Sequence, residues 1–497
     1  MRSYVVYTMC SFPTLVDWSP TMLSFFSSVP GLKQVTEGFV RRTFFAQFVG
    51  GETAHECVPL LEQFRAENKG ALFAYSVEVD EHEAAGQGHK PSVPVHKRIV
   101  QEMIRSIDVA ADFEDRHASG SSSTAAGRRT WVAVKLTALL PDAQALTRFS
   151  VHLTKTRPAL SPAIAFPGCP RASDMDCLAV SKLPSESPLT EQDVVDIKDL
   201  HLDLVKICAR AQERGIRIII DAENSWYQPA IDAVTLSLMR EFNALPKRAL
   251  IESTPVRPLV YATFQAYLRR NIEYLQQSLA DAKAGNYAFG VKLVRGAYHP
   301  LETSAHAAAA ASSSVSGTRP RRNSHSLSIS PDPHPPVWPS KPDTDRCYNA
   351  CARLLVSAIH DDVAGVAGAG APPTVGVLFG SHNWDSCNLI LDELVRHGLA
   401  HRETEGAREV VRIRDEATER VTLAQLFGMS DALTDYLVDK TRSSSPFVIK
   451  YVPYGALSEV MPYLSRRAIE NKSVLGDGQA AAERKRAWDG IRVRLFG

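Results

Sequence analysis

The sequence predicts an α/β fold in which a parallel sheet is buried between layers of helices. From about residue 131 onward, runs rich in Val, Ile and Leu alternate with helix-like segments. Such runs, bounded by turns and separated by helices, are typical of βα units. The 497 residues are enough for a large barrel with a helical segment in addition. The predicted strands are 131–139, 215–224, 248–253, 289–298, 374–383, 421–429 and 446–455, and the predicted helices are 190–214, 229–244, 256–282, 343–361, 384–397, 431–438 and 456–471.

The regions outside this alternation predict the domain organisation. Residues 1–125 form a mainly helical N-terminal segment, 126–480 a barrel domain and 481–497 a tail. Residues 303–343 are rich in Ala and Ser and then in Ser and Pro, so they bury too little apolar surface to offset the entropy of ordering. We therefore expect a disordered insertion there. The apolar first 32 residues match neither a signal peptide nor an Arg-rich transit peptide.

Composition and charge exclude several classes of protein. The net charge of +1 argues against a large nucleic-acid-binding surface, which needs a basic face. The sequence has no uninterrupted apolar run of about 18 residues, so we predict no transmembrane helix. The eight cysteines form no C-x-x-C pair, and scattered thiols are typical of a reducing compartment. No second histidine stands near His382 at a metal-binding spacing, so we predict no metal site.

Polar residues stand at or near the ends of most predicted strands, where (βα)₈ barrels build their active sites. Lys135 and Lys292 lie inside apolar runs, where a lysine needs a partner, and Asp221 is the natural partner for one of them. Structural ion pairing and ligand binding both remain open for this set. Several cations suit an anionic cofactor, such as one with a pyrophosphate, together with an anionic substrate. The set is Lys135, Asp221, Glu223, Lys292, Arg295, His382, Asn383, Gln425 and Tyr451.

Two adjacent arginines, Arg466 and Arg467, follow an apolar strand-like run, a Pro-Tyr-Gly turn and an apolar helix-like run. Neighbours on a helix point about 100° apart, so one arginine is not simply a spare copy of the other. One interpretation is a solvated basic edge near a helix end. The other is a clamp for a carboxylate or phosphate, because guanidinium forks match planar oxyanions.

Seven motifs recur along the chain from about residue 131 to 471. They are KLTAL, IIIDAENSWYQPAID, YATFQAYL, VKLVRGAY, GSHNWDS, QLFGMSD and KYVPYGALSEVMPYLSRRAIEN. Together, and in this order, they resemble the proline dehydrogenase (proline oxidase) family in its eukaryotic mitochondrial form. The N-terminal RSYVVYTMCSFPTLVDWSP resembles fungal members. The resemblance implies a distorted TIM-like (βα)₈ barrel that holds FAD at the strand C-termini.

The same resemblance implies the reaction and the location. L-proline is oxidised to Δ1-pyrroline-5-carboxylate, the first step of proline catabolism to glutamate. A hydride passes from proline C5 to flavin N5, and the electrons go on to ubiquinone. The implied location is the mitochondrion, in peripheral association with the matrix side of the inner membrane.

The resemblance also implies a role for each matching residue. Arg466 and Arg467 hold the substrate carboxylate. The other residues implied at the substrate are Lys135 and Asp221 as pocket lining, Tyr298 and Tyr451 beside the proline ring, and Leu426 as its apolar floor. The residues implied to contact FAD are Gln265, Lys292, Arg295, Gly296, His382, Asn383 and Glu470.

Three alternatives stand beside this interpretation. The resemblance implies that hydroxyproline dehydrogenases carry a smaller residue where this chain has Tyr451, so Tyr451 favours proline. A barrel that has lost catalysis and an aldolase-type Schiff-base barrel using Lys135 or Lys292 are the other two. Colour separates them from a flavoprotein, which is yellow as purified. His299 departs from the larger apolar residue that many members carry after R-G-A-Y.

Overall fold

The computed structural model describes most of the chain, in twelve stretches. They are residues 2–10, 31–76, 94–117, 127–158, 160, 162–179, 186–245, 258–314, 327–366, 374–474, 484–489 and 492. At 312–314, 365, 366 and 469–474 only the backbone is described.

Eight of the described strands close into a barrel of parallel strands. The strands are β1 (Lys69–Tyr75), β2 (Thr130–Val134), β3 (Ile218–Ile220), β4 (Val260–Gln265), β5 (Phe289–Val294), β6 (Val375–Gly380), β7 (Ala400–Glu405), β8 (Arg408–Ile413), β9 (Val421–Leu426), β10 (Thr441–Arg442) and β11 (Val448–Tyr454). The order around the barrel is β1, β11, β9, β6, β5, β4, β3, β2. Both faces of such strands are covered, which explains the continuous apolar runs in the sequence. The predicted α/β barrel is confirmed.

Helices alternate with the barrel strands along the chain. The helix Glu191–Arg214 shows how local chemistry sets their ends. Thr190 and Asp193 form a reciprocal capping box at its start, and Gly215 ends it with a left-handed φ of 66°. In the part of the chain that the structure describes, none of the helices is both long and apolar enough to cross a membrane. The longer helices are Arg2–Cys10, Leu32–Val40, Val58–Ala66, Val95–His117, Gln144–Thr156, Glu191–Arg214, Gln228–Phe242, Asn271–Gly285, His299–Ser314, Lys341–Val366, Trp384–Arg396, Asp431–Lys440 and Leu457–Val474.

The chain divides into two compact units. The large unit comprises Glu81–Ala424 and Lys440–Phe447, and the small unit comprises Met1–Asp80, Gln425–Asp439 and Val448–Gly497. Within the large unit, neighbouring strands pair in register, so that Lys292 of β5 stands opposite Thr263 of β4 and Leu378 of β6. It also carries a small outer sheet, a β7–β8 hairpin with β10 added in parallel, which the sequence analysis did not predict.

Within the small unit, β1 pairs with β11 over their whole lengths, from Lys69 opposite Val448 to Tyr75 opposite Tyr454. Its core joins the N-terminal helices to the helix Leu457–Val474. The described residues within 1–125 include several helices, and the barrel strand β1 lies among them. The core cluster consists of Val6, Cys10, Val40, Phe45, Phe48, Val49, Met429, Leu457, Val460, Tyr463, Leu464 and Ala468.

One helix prediction is wrong. Residues 256–282 were predicted as a single helix, but Val260–Gln265 form the barrel strand β4, and the helix begins at Asn271. All six residues of β4 are buried. Val, Tyr, Thr and Phe favour strands, and burial on both faces removes the period-two pattern that would have marked one. The predicted strand 248–253 lies outside the described residues.

The predicted disordered insertion at 303–343 is corrected for the parts that the structure describes. The helix His299–Ser314 occupies its start, as the high helix propensity of alanine favours. On the other side, Val337 is buried against Tyr267 and Leu268, and the Trp338 amide donates to the Tyr267 oxygen at 2.7 Å. Polar contacts along the same segment accompany this apolar contact, so its described part is ordered although its composition predicts disorder. Residues 315–326 lie outside the described residues.

Candidate active site

The large unit contains a buried ion pair that links two barrel strands. Lys292 lies on β5 and Asp221 directly follows β3, and the Nζ and Oδ1 atoms are 2.5 Å apart. The two residues are 8% and 7% exposed. A charge buried to this extent is tolerated when it is paired. The prediction that Asp221 pairs with one of the two lysines is confirmed.

A second polar group surrounds Glu223 and Gln265. The Glu223 carboxylate accepts hydrogen bonds from the backbone nitrogen of Thr137 at 3.1 Å and from its hydroxyl at 2.5 Å. Gln265 ends β4, and its Nε2 atom donates to the backbone oxygen of Glu223 at 3.2 Å. The Oε1 atom of Gln265 is buried and accepts no hydrogen bond from any described residue. Buried amide oxygens ordinarily have a donor, so Gln265 can offer this acceptor to a ligand.

The guanidinium of Arg295 is held by four neighbouring side chains. Its Nε atom donates to Asp345 at 2.6 Å, and its two Nη atoms donate to the hydroxyls of Ser381 and Ser386, each at 2.8 Å. Its central carbon lies 4.3 Å from the centre of the Tyr348 ring. These contacts fix the direction of a half-buried positive charge directly after β5.

Two of the predicted cofactor residues, Gly296 and Asn383, also have roles in the fold itself. Gly296 has a φ of 129°, and a Cβ atom there would lie 2.5 Å from the ring of Tyr267. The side chain of Asn383 accepts a hydrogen bond from the Ser386 nitrogen at 2.9 Å and so caps the helix Trp384–Arg396. Packing and capping therefore account for both residues, and their contact with FAD remains a prediction.

Three further predicted residues are half-buried just after strands of the large unit. Lys135 directly follows β2, and Tyr298 and His382 lie within four residues of the ends of β5 and β6. The C-terminal strand ends of this unit thus present mixed positive, negative and hydrogen-bonding groups. Within the described residues, no cluster of three or more His, Cys, Asp or Glu side chains could hold a metal ion.

Glu302, a residue not predicted from the sequence, is buried in the helix His299–Ser314. Its two carboxylate oxygens accept hydrogen bonds from the backbone nitrogen and the hydroxyl of Ser225, both at 2.6 Å. Burial raises the pKa of the Glu302 carboxyl above its ordinary value. Glu302 follows Tyr298 by four residues, one helical turn, so it ties the segment after β3 to the segment that carries Tyr298. The spacing of one helical turn from Tyr298 is the sequence feature that could have pointed to Glu302. Its hydrogen-bond partner Ser225 is too distant in the sequence to be recognised.

The two adjacent arginines lie in the small unit on the helix Leu457–Val474, called here the arginine helix. Arg467 is 4% exposed, and its guanidinium carbon lies 5.0 Å from the centre of the Tyr463 ring. Arg466 is half-buried. The interpretation as a solvated basic edge is therefore wrong for Arg467. Glu470 lies on the same helix, but its side chain is outside the described residues.

Leu426 and Tyr451 are placed by neighbouring segments of the small unit. Leu426 ends β9, and Tyr451 lies on β11. The backbone nitrogen of Phe427 donates to the Tyr451 oxygen at 2.9 Å, which sets the two segments side by side. Both side chains are half-buried, as expected of groups that could meet a ligand.

Comparison with known proteins identifies relatives along most of the chain. A model of the proline dehydrogenase family matches residues 79–320 and 329–479. Proline dehydrogenase 1, mitochondrial, of Dictyostelium discoideum is 27% identical over 95% of this chain and 69% of its own length. The probable mitochondrial proline dehydrogenase of Schizosaccharomyces pombe is 27% identical over 100% of this chain and 88% of its own length. A hydroxyproline dehydrogenase of Xenopus laevis is also 27% identical, over 95% of this chain and 83% of its own length.

Solved structures of proline utilization A proteins share the fold. The protein from Bdellovibrio bacteriovorus has a TM-score of 0.53 at 18% identity, and the likeness covers 88% of this chain. A bifunctional proline utilization A protein has a TM-score of 0.52 at 19% identity over 92% of this chain. This chain spans 34% of each of those chains, and at such identities the likeness shows the fold alone. The family model, by contrast, matches well over half of the sequence, and the chain belongs to the proline dehydrogenase family.

Proposed function

We propose that this protein is an FAD-dependent proline dehydrogenase that oxidises L-proline to Δ1-pyrroline-5-carboxylate. Membership of a family of oxidoreductases supports the class of reaction. The observation that carries the proposal is the guanidinium of Arg467, buried against Tyr463 and adjacent to Arg466. A buried guanidinium suits a small anion such as a carboxylate, which its planar donors can bind in two-pronged fashion.

Each residue of the substrate-binding set has its own proposed part in binding L-proline. Arg466 and Arg467 bind the carboxylate of L-proline. Tyr451, Leu426 and Tyr298 orient the ring, so that the amine and C5 are presented in one geometry. The amine reacts in its neutral form, because its lone pair assists the loss of hydride from C5. No side chain needs to act as a strong acid or base, and the protein contributes orientation and electrostatics.

The donor set of the large unit fits a flavin. Gln265 presents a buried amide oxygen for which no described residue is the donor, and a flavin ring carries an N–H group that could supply one. Lys292 and Arg295 add fixed positive charges, each beside a carboxylate. FAD, when bound, would supply at flavin N5 the acceptor for the hydride. Gln265, Lys292 and Arg295 would hold it, with Gly296, His382, Asn383 and Glu470 as the further proposed contacts.

We propose ubiquinone as the next electron acceptor and the mitochondrion as the location. The relatives from Dictyostelium discoideum and Schizosaccharomyces pombe are named as mitochondrial proteins, which supports the location. A quinone acceptor dissolves in the bilayer, so peripheral association with the inner membrane, on the matrix side, follows from this proposal.

Hydroxyproline is the second candidate substrate. The hydroxyproline dehydrogenase of Xenopus laevis is as similar in identity as the proline dehydrogenases, so identity does not separate the two substrates. Tyr451 does favour L-proline. The family resemblance implies a smaller residue at this position in hydroxyproline dehydrogenases, and a tyrosine leaves less room beside the substrate ring for a hydroxyl group.

The visible spectrum of the purified protein tests the proposal. It should be recorded without oxygen, before and after addition of L-proline and, in a parallel sample, of trans-4-hydroxy-L-proline. We expect bands of oxidised flavin that bleach with L-proline and bleach less with the hydroxylated substrate. Flavin bands that do not bleach with L-proline would overturn the substrate. A colourless protein that cannot be reconstituted with FAD would overturn the cofactor.

A further inference from the structure

A six-residue segment of the small unit, Leu426–Asp431, carries Leu426 from the end of β9 to the start of the helix Asp431–Lys440. We call it the β9 turn. Gly428 and Ser430 in this turn both have positive φ angles, of 73° and 51°. A left-handed φ is unfavourable for a serine, so contacts from outside the turn must stabilise its shape.

Lys450 makes such contacts from the neighbouring strand. It is 2% exposed, and its Nζ atom donates to the backbone oxygens of Leu426 at 3.2 Å and Met429 at 2.9 Å. The same Nζ atom lies 2.8 Å from the Oδ1 atom of Asp431. An ammonium group has three donors, and here each meets an oxygen of the β9 turn. Lys450 therefore holds both ends of the turn and its middle.

The N-terminal helices hold the same turn from another direction. The backbone oxygen of Gly428 accepts hydrogen bonds from the Tyr7 hydroxyl at 2.8 Å and from the Nε2 atom of Gln47 at 2.9 Å. These bonds fix the turn at residue 428. Lys450 fixes it at residue 426, the residue whose side chain is proposed to meet the substrate.

Resting on the proposed function, we propose that Lys450 is a positioning residue for the substrate ring. Successive residues of a strand point to opposite faces, so Lys450 and Tyr451 lie on opposite faces of β11. Lys450 thus does not touch the substrate. It acts through the backbone of Leu426, and it sets the distance at which the Leu426 side chain meets the ring. Replacement of the ammonium loosens this floor and leaves the carboxylate-binding arginines unchanged.

Lys69 supplies a matched control in the same unit. It is also a buried lysine, at 9% exposed, but its Nζ atom bonds the carboxylates of Glu67 at 2.7 Å and Asp435 at 2.9 Å. Lys69→Met therefore removes a buried lysine of the small unit without removing a bond to the backbone of the β9 turn. Loss of stability alone affects both variants, whereas loss of positioning affects Lys450→Met.

The experiment measures kcat and KM of the full chain with FAD, for L-proline and for trans-4-hydroxy-L-proline, in the wild type and both variants. Urea unfolding of each variant gives the accompanying loss of stability. We expect Lys450→Met to raise the KM for L-proline about tenfold. The loss of one small apolar contact typically weakens substrate discrimination by about this factor. The preference for L-proline over the hydroxylated substrate should fall as well, and Lys69→Met should leave both quantities at their wild-type values.

A Lys450→Met enzyme with wild-type KM and substrate preference would overturn the inference and leave Lys450 a structural residue. If Lys450→Met does not fold, Lys450→Gln replaces it, because glutamine keeps an N–H donor on a shorter side chain. The KM of Lys450→Gln for L-proline should then also rise, by less than about tenfold. A wild-type protein that does not oxidise L-proline would instead overturn the proposed function, and the inference with it.

Discussion

Lys292 and Asp221 form a buried ion pair with 2.5 Å between Nζ and Oδ1, although 71 positions separate them in the sequence. The pair joins β5 to the residue directly after β3, and these two strands are not neighbours in the barrel. It therefore connects them past the intervening strand β4, which carries Gln265.

Removal of one member of this pair should cost more stability than removal of both. Asp221→Ala leaves the Lys292 ammonium buried without its carboxylate, so we expect the free energy of unfolding to fall by about 3–5 kcal/mol. The double variant Asp221→Leu, Lys292→Met should lose less than Asp221→Ala alone. Urea unfolding of the wild type, Asp221→Ala and the double variant measures these losses. A double variant that loses as much stability as Asp221→Ala, or more, would contradict this prediction.

Arg466→Met should raise the KM for L-proline on the order of 10²-fold or more, because the substrate carboxylate loses a charged partner. Arg467→Met should act in the same direction. Steady-state kinetics with L-proline measures both. Arg486→Met is the control, because Arg486 makes an exposed ion pair with Asp435 in the same unit. An unchanged KM in Arg466→Met would rule out the carboxylate clamp.

Gly428→Ala should destabilise the protein by about 4 kcal/mol, the sum of a positive φ and a steric overlap. A Cβ atom at residue 428 would lie 1.9 Å from the backbone oxygen of Gln47. Gly406→Ala is the control, since Gly406 has a similar φ of 63° but no atom within 4 Å of the added carbon. It should cost about 1 kcal/mol. Equal losses in urea unfolding would show that the N-terminal helices move aside freely.

Glu302 should make stability depend on pH. Burial raises its pKa in the folded protein, so between the unfolded and folded pKa values the native state holds a proton that the unfolded chain has released. Stability from this group is therefore present at low pH and is lost as pH rises, from about 4.5 upward. Glu302→Gln does not titrate. We expect the free energy of unfolding of the wild type to fall relative to this variant across the window, and a constant difference would contradict the assignment.

The sequence predicts the parts of this molecule that depend on local patterns. Runs such as Phe289–Val294 and Val448–Tyr454 are recognisable because a barrel strand is apolar throughout. Val260–Gln265 was missed because a helix follows within a few residues and the apolar pattern of the two elements runs together. The composition of residues 327–343 predicts disorder, because composition records neither the packing of Val337 nor the hydrogen bonds that hold this segment.

The candidate site divides in the same way. Asp221 and Lys292 were paired from sequence because a lysine inside an apolar run needs an acid. Glu302 and Lys450 were not recognised. The partner of Glu302 lies 77 positions away, and Lys450 bonds backbone oxygens, which every residue possesses. Side chains that bind main-chain atoms leave no trace in a pattern of residue types.

The pairing of β1 with β11 has a consequence for how the protein is made. On the ribosome, Lys69 emerges long before Val448, its partner in register. At about 5–20 residues per second, β1 would wait on the order of tens of seconds for that partner. During this time its apolar face and its unpaired hydrogen-bonding edge are open to other chains. The yield of folded protein in cells should therefore depend on chaperones that bind the nascent N-terminal region. Chains truncated before β11 should aggregate.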